Sequence, residues 1–260
     1  MNDLNVMLVQ CDLVWENPAQ NRRNIEELLD HADQQADLIV LPEMFTTAFT
    51  MVPHQVAEKY SHDMETLNWM KKVATNKRAT IMGSVAVEEG GQFFNRMLVV
   101  DSSGLVTSYD KRHLFSLSNE HEFYSPGSSH GDFQLKGWNI RPRICYDLRF
   151  PEWARNTLVG GEPSYDLIIY SANWPEPRIE QWKSLLSARA IENQAYCIGV
   201  NRTGEDLNGF KFNGQSAAYN FKGEQLNNPQ AQSDQLIAVL LTAEDLSVYR
   251  ANYPFLKDQQ

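Results

Sequence analysis

The chain is poor in cysteine. Cys11, Cys145 and Cys197 are the only three in 260 residues, too few and the wrong number for a disulfide scaffold. No basic segment followed by an apolar stretch comes after Met1, so no secretory signal is expected, the thiols read as reduced and the setting as cytoplasmic. Positive charge is also scarce. Lys and Arg total 23 against 33 Asp and Glu, a formal net charge of −10 without any basic cluster. That balance argues against nucleic acid or an anionic membrane as partner. Apolar runs are only strand-length, which excludes a membrane-spanning helix. No repeat, charge block or low-complexity linker divides the sequence, so residues 1–260 read as one domain. The six histidines show no zinc spacing with the cysteines, and neither a metal nor a cofactor is expected.

What is present is an alternation of strand and helix signals. Residues 4–11 and 37–41 read as buried strands. Between them Asn17-Pro18 opens a helix, with Asn as N-cap and Pro in the first turn. Ile25, Leu28, Leu29, Ala32 and Ala36 continue it at helical spacing, and Leu67, Met70, Val73 and Ala74 mark a second helix. Residues 79–87, 93–101 and 105–111 form a meander punctuated by Gly90-Gly91 and 102–104, so the sheet must be mixed. A strand pair around Gly137 follows, then a helix after Pro151 that Gly160-Gly161 should stop. Strand 167–171, a long helix through Ile179, Trp182, Leu185, Leu186 and Arg189, and strands 196–201, 215–220 and 236–241 complete the chain. Residues 242–245 resemble a capping box that opens a last helix. The class is α/β, with helices covering two packed mixed sheets, and periodicity leaves the strand order open.

Three polar residues stand where apolar strands end. Cys145 follows Ile144 and precedes a helix signal at Pro151. A lone cysteine there is usually a small buried hydrophobe, but a strand-to-helix bend would also expose a nucleophile and free the Tyr146 N–H for an oxyanion. Cys11 and Cys197 lie inside apolar strands and read as packing. Glu43 follows Leu41-Pro42, and Met44-Phe45 would give it the apolar surround that suits a general base. Lys111, in Asp110-Lys111-Arg112-His113, could be an ordinary charged strand end. Beside Cys145 and Glu43 it would instead lower the thiol pKa and hold an oxyanion. Base, fixed positive charge and soft nucleophile together suffice for acyl transfer. Glu120 and Glu122 flank His121 with no second ligand cluster for a metal. Asn173-Trp174-Pro175 ends another strand and could line a pocket at the same edge.

On these residues the sequence resembles the nitrilase, or carbon–nitrogen hydrolase, superfamily over essentially its whole length. The resemblance rests on Leu41-Pro42-Glu43, Asp110-Lys111-Arg112-His113-Leu114-Phe115, Cys145-Tyr146-Asp147-Leu148-Arg149-Phe150-Pro151-Glu152, Ser171-Ala172-Asn173-Trp174-Pro175 and Ala188-Arg189-Ala190-Ile191-Glu192-Asn193-Gln194. It implies a four-layer α-β-β-α sandwich, commonly a homodimer, and a Glu43–Lys111–Cys145 triad. It also implies a second active-site glutamate before Ser125-Pro126-Gly127: Glu120 by spacing, with Glu122 the alternative. The run Pro42–Phe49 and the Lys111 and Asn173 segments look most like the omega-amidases, which hydrolyse the terminal amide of 2-oxoglutaramate and 2-oxosuccinamate. Phe49, Tyr146, Arg149, Asn173 and Trp174 are then the expected substrate contacts. Arg149, Arg178 and Arg202 all remain candidates for gripping a substrate carboxylate. Another amidase specificity, for deaminated glutathione or a carbamoyl compound, is the near alternative. A non-catalytic thiol sensor or binding protein on the same fold is the distant one.

Overall fold

The structure is a computed structural model, and it describes residues 1–32, 34–228 and 233–259. The first sheet takes its strands from Leu4–Gln10 (β1), Leu38–Val40 (β2), Thr80–Glu89 (β3), Gln92–Asp101 (β4) and Gly104–Asp110 (β5). The second is built from Phe133–Leu135 (β6), Trp138–Ile144 (β7), Leu167–Ala172 (β8), Tyr196–Asn201 (β9) and Ala217–Tyr219 (β10). Gln235–Leu241 (β11) then returns to pair antiparallel with β1. The first sheet runs β11-β1-β2-β3-β4-β5, with the short strand Glu58–Lys59 added to β3, and the second runs β10-β9-β8-β7-β6. Both are mixed: β1, β2 and β3 are mutually parallel, as are β7, β8 and β9, while the flanking pairs are antiparallel.

Period-two alternation sorts each strand between two cores. Leu4, Val6 and Leu8 of β1 and Leu38 and Val40 of β2 point at the facing sheet, where they meet Ile140, Ile144, Leu167, Ile169, Ile198 and Val200. Met7, Val9 and Ile39 point outward to Ile25 and Leu29 of helix α1 (Pro18–Asp30) and to Leu67, Met70 and Val73 of helix α2 (Glu65–Lys77). On the other side Ile168, Tyr170 and Cys197 pack on Trp182, Leu186 and Ala190 of helix α3 (Ile179–Asn193). The result is a four-layer α-β-β-α sandwich with three apolar seams, the architecture the resemblance implied.

Three local expectations are corrected. Helix α1 is capped by Asn17 as expected, its side chain accepting from Gln20 N at 3.1 Å, but it ends at Asp30, so Ala32 and Ala36 lie beyond it. The helix after Pro151 is one turn, Pro151–Ala154, and does not reach the glycines; Gly160-Gly161 instead turn a small hairpin between Leu158–Val159 and Glu162–Pro163. Four residues bury too little apolar surface to propagate a helix against the buried Asn156, which is bonded to Asn193 and Tyr165. The last helix (Ala243–Asn252) begins after Thr242, but the Thr242 side chain makes no cap; the Asp3 carboxylate accepts from Ala243 N at 3.0 Å and does that work from the chain's other end. No helix among the described residues is long and apolar enough to cross a membrane.

The topology brings four strand ends together. β2, β7 and β8 are followed at once by Glu43, Cys145 and Asn173. β5 runs parallel to β2, because two antiparallel steps separate it from β3, and it delivers Lys111 at the same edge. The carboxyl edge of parallel strands is where α/β sheets bind ligands. Close packing under that edge is testable at Gly199 of β9, where a Cβ would stand 2.4 Å from Trp182 Cζ2 and 2.5 Å from Leu186 Cδ1. Gly199→Ala is expected to lower stability by about 1–3 kcal/mol through overpacking, seen as a lower urea midpoint at constant m-value. An unchanged midpoint would contradict the packing.

Candidate active site

Lys111 is the centre of the site. Its ammonium is 1% exposed and donates to Glu43 Oε1 at 2.8 Å and to both oxygens of Glu120 at 2.9 and 3.0 Å. The backbone fixes its root: Lys111 N donates to Asn95 O, and Lys111 O accepts from Gly127 N, both at 3.0 Å. A Cβ on Gly127 would come within 2.3 Å of Asp110 O, so only glycine lets that segment lie so close. Burial works against the ammonium, but the charges of Glu120 and then Glu43 outweigh it and hold the lysine well above its ordinary pKa.

Glu43 sits in the turn after β2, held where Met44 N donates to Ser84 Oγ at 2.8 Å. Its carboxylate is fully buried and fully engaged. Besides Lys111, Oε1 accepts from Asn95 Nδ2 at 2.9 Å and Oε2 from Asn173 N at 2.9 Å, while Glu43 O accepts from Asn173 Nδ2 at 2.7 Å. Glu120 is also buried and accepts from Phe115 N at 2.6 Å, whereas Glu122 is exposed, so the structure puts Glu120 and not Glu122 against Lys111. Burial raises the pKa of Glu120; Lys111 opposes that rise and the Glu43 charge adds to it. Two carboxylates share one ammonium, so one of them takes a proton more readily than an isolated acid would.

Cys145 occupies the bend itself, with φ +42°, a left-handed conformation that costs energy for any residue but glycine. A 3₁₀ turn, Cys145–Arg149, begins there, and the Tyr146 N–H lies in its first turn, where a helix supplies no acceptor of its own. Asp147 clasps the bend. It accepts from Ile144 N at 3.1 Å on one side, and from Tyr109 Oη at 2.6 Å and His113 N at 2.9 Å on the other, the two residues that bracket Lys111. Sγ lies 3.9 Å from Asn173 O, the same residue whose N–H holds Glu43. Lys111 lowers the thiol pKa, as expected, but it does not decide the net shift. Burial is the largest influence and raises it, Glu43 raises it further through its charge and by accepting a hydrogen bond from the thiol, and Lys111 offsets only part. The resting group is a thiol beside a carboxylate.

Glu43, Lys111 and Cys145 face a cavity of about 550 Å³ walled by Phe49, Phe115, Tyr146 and Trp174. Its size suits a small molecule. All five expected contacts, Phe49, Tyr146, Arg149, Asn173 and Trp174, line it, as does Arg178. Arg202 does not. It is buried behind the wall, bonded to Asp12 at 2.5 Å, to Leu13 O and to Thr203 O, and is thereby removed from the carboxylate candidates. Asn95 and Asp147 were not singled out from the sequence. An Asn inside the apolar run Phe93–Leu98 was the available signal, since a strand does not bury an amide without a partner. Cys11 and Cys197 are buried in the cores, with pKa values also pushed up by burial. Among the described residues no cluster of His, Cys, Asp or Glu is arranged to hold a metal ion.

The raised thiol pKa has a kinetic signature. Alkylation of Cys145 by iodoacetamide should accelerate steadily from pH 7 to pH 9 without levelling off, because a thiol titrating above that window gains thiolate throughout it. Cys145 should also be labelled well before Cys11 or Cys197, as peptide mass spectrometry would read. A plateau below pH 8 would mean that Lys111 governs the thiol after all.

The carbon–nitrogen hydrolase family model matches residues 5–251. The chain is 42% identical over 259 residues to the omega-amidase YafV of Yersinia enterocolitica, covering 99% of this chain and 97% of that one. It is 37% identical to the 2-oxoglutaramate amidase of Bacillus subtilis over 77% of each chain. In structure it is similar to a carbon–nitrogen hydrolase superfamily protein of Xanthomonas campestris with an arsenic adduct in its active site, at a TM-score of 0.96 and 38% identity over 100% of this chain and 98% of that one. A Glu–Lys–Cys constellation at the strand edge of this sandwich thus goes with a family match over residues 5–251, and the chain is a member of the carbon–nitrogen hydrolase family.

Proposed function

We propose that Cys145 is the nucleophile, Glu43 the general base and acid, and Lys111 with the Tyr146 N–H the oxyanion holder of an amide hydrolase. The observation that carries this is the meeting of thiol, carboxylate and ammonium on the floor of one cavity, each from a different strand end. The activity is that of an omega-amidase, and the substrates are the short 2-oxo dicarboxylic acid monoamides, 2-oxoglutaramate and 2-oxosuccinamate.

The thiol pKa dictates the order of events. With thiol and carboxylate at rest, Glu43 removes the proton as sulfur attacks the terminal carbonyl carbon, so no free thiolate accumulates. The carbonyl oxygen becomes an oxyanion facing Lys111. Glu43 then passes its proton to the nitrogen, the C–N bond breaks and ammonia leaves a thioester on Cys145. Water, deprotonated by Glu43, attacks the thioester carbon. The C–S bond breaks, Glu43 returns the proton it took from water to the sulfur, and the carboxylic acid departs. Glu120 touches no reacting atom in this scheme; it holds Lys111 in line. Replacing Lys111 removes an oxyanion donor, an effect of about 10²–10³-fold in kcat in comparable sites.

The same reading treats residues 1–260 as one hydrolase domain, since both sheets share the central seam. It places the enzyme in a reducing cytoplasm, where three unpaired cysteines persist. It also makes the enzyme a homodimer. A row of rings in tilted contact, Phe221–Tyr249–Tyr253–Phe255, leads to the surface, and Tyr253 and Phe255 emerge about half exposed. Light scattering should return twice the 29.8 kDa chain mass, and a monomer at every concentration would refute the dimer.

Ammonia release measured across an amide panel tests the activity. 2-Oxoglutaramate should be hydrolysed well ahead of glutamine, asparagine and a carbamoyl compound. Cys145→Ala should lose roughly 10⁴–10⁶-fold in kcat, as removal of a nucleophile does elsewhere, while keeping its unfolding transition. A retained rate in Cys145→Ala would rule out the thioester route.

A further inference from the structure

The cavity is lined by charges of both signs. Glu43 lies against Lys111 on its wall, while Glu120, the other partner of the lysine, is fully buried and does not line the cavity. Two guanidinium groups, Arg149 and Arg178, are also among the lining residues. They differ in how they are held. Arg149 is braced: its Nη2 donates to Gln181 Oε1 at 2.5 Å and its guanidinium lies 4.8 Å from the centre of the Trp174 ring. Arg178 has its backbone pinned and its head free. Its N donates to Pro175 O at 3.0 Å and its carbonyl accepts from Trp174 Nε1 at 2.9 Å, so its Cα cannot drift from the cavity wall. Its guanidinium lies 5.6 Å from the centre of the Phe115 ring, and among the described residues it forms no ion pair. The one other acid lining the cavity, Asp206, is turned into its own loop, where Oδ1 accepts from Asn208 N and Phe210 N.

From this geometry we infer that Arg178 is the specificity-determining residue that binds the distal carboxylate of the substrate, with braced Arg149 as a second positive charge beside it. The inference rests on the omega-amidase reading and names the group that selects for it. An unpaired guanidinium in a wall of aromatic rings is incompletely solvated and holds all five donors in a planar fork, which a carboxylate can fill bidentately. The neighbouring Arg149 makes the cost of leaving that fork empty larger, because like charges repel; burial and then Arg149 both lower the pKa of Arg178. An anion relieves both. Arg149 alone would serve less well, since its Gln181 bond and ring contact already occupy part of its fork.

The test compares kcat/KM for 2-oxoglutaramate with that for butanamide, a neutral amide, in the wild type, Arg178→Gln and Arg178→Lys. Arg178→Gln should reduce the ratio by about thirtyfold or more, mostly through KM, as truncating one partner of a charge pair does. Arg178→Lys keeps the charge and loses the fork, so its ratio should fall between the two. Competitive inhibition by glutarate should weaken in the same order. A ratio and a glutarate inhibition constant within about twofold of wild type in both variants would overturn the assignment. Should Arg178→Gln not fold, the Arg178→Lys comparison decides alone: an undiminished ratio there contradicts bidentate binding. A wild-type ratio near one is a different failure, because it defeats the omega-amidase reading whatever the variants do.

Discussion

The ammonium of Lys111 is buried between two buried carboxylates, and most of the local structure exists to make that tolerable. Three charges out of water carry a desolvation cost that their mutual attraction offsets only when the remaining lone pairs are also satisfied. Here they are. Asn95, the backbone N–H of Asn173 and the backbone N–H of Phe115 supply the missing donors. Those donors come from β4, the end of β8 and the segment after β5, so the triad forms only when both sheets have docked. Removing one member would leave an uncompensated buried charge, a loss of about 3–5 kcal/mol in comparable cases. The assembly of the proposed catalytic residues and the closure of the sandwich are therefore one structural event.

The second constraint follows from the first. A site this dry does not favour a free thiolate, and the thiol of Cys145 is pushed up, not down, despite the lysine nearby. Chemistry then depends on position more than on resting charge: the acceptor for the proton must already touch the sulfur's surroundings. Asn173 arranges that, offering its carbonyl toward Sγ and its N–H to Glu43. Asp147 arranges the other half by tying the strained bend at Cys145 to Tyr109 and His113 on either side of Lys111. Hydrogen bonds thus fix Cys145, Glu43 and Lys111, the proposed nucleophile, base and oxyanion holder, relative to one another before any substrate enters.

These two layers were unequally legible in the sequence. Near-continuous apolar runs along 4–11, 37–41 and 167–171 announced strands with two buried faces, and the strand ends at Glu43, Lys111 and Cys145 marked the candidate reactive edge. Motif order carried the family. What failed was local or electrostatic. Ala32 and Ala36 fit a helical period, but a period does not reveal where a chain turns away. Thr242 looked like a cap, yet its side chain makes none, and Asp3 from the far end of the chain accepts from Ala243 N in the helix's first turn. The sign of the Cys145 shift depended on how deeply the sulfur lay, which no motif encodes. Arg202 could not be separated from Arg149 and Arg178 because burial behind Asp12, not residue type, removes it.

Charge placement along the cavity also explains how such a site can turn over. In the proposed reaction the substrate brings a neutral amide to Glu43 and Lys111 on the cavity wall. That amide becomes a carboxylate, so product formation sets a new negative group beside the Glu43 carboxylate. Repulsion there opposes the attraction of Arg149 and Arg178 for the distal carboxylate, and the product is held less tightly at its new end than the amide was. The −10 charge of the whole chain adds a background in the same direction. In the proposed cycle the Glu43 carboxylate that takes the thiol proton is thus also the charge that the product must leave.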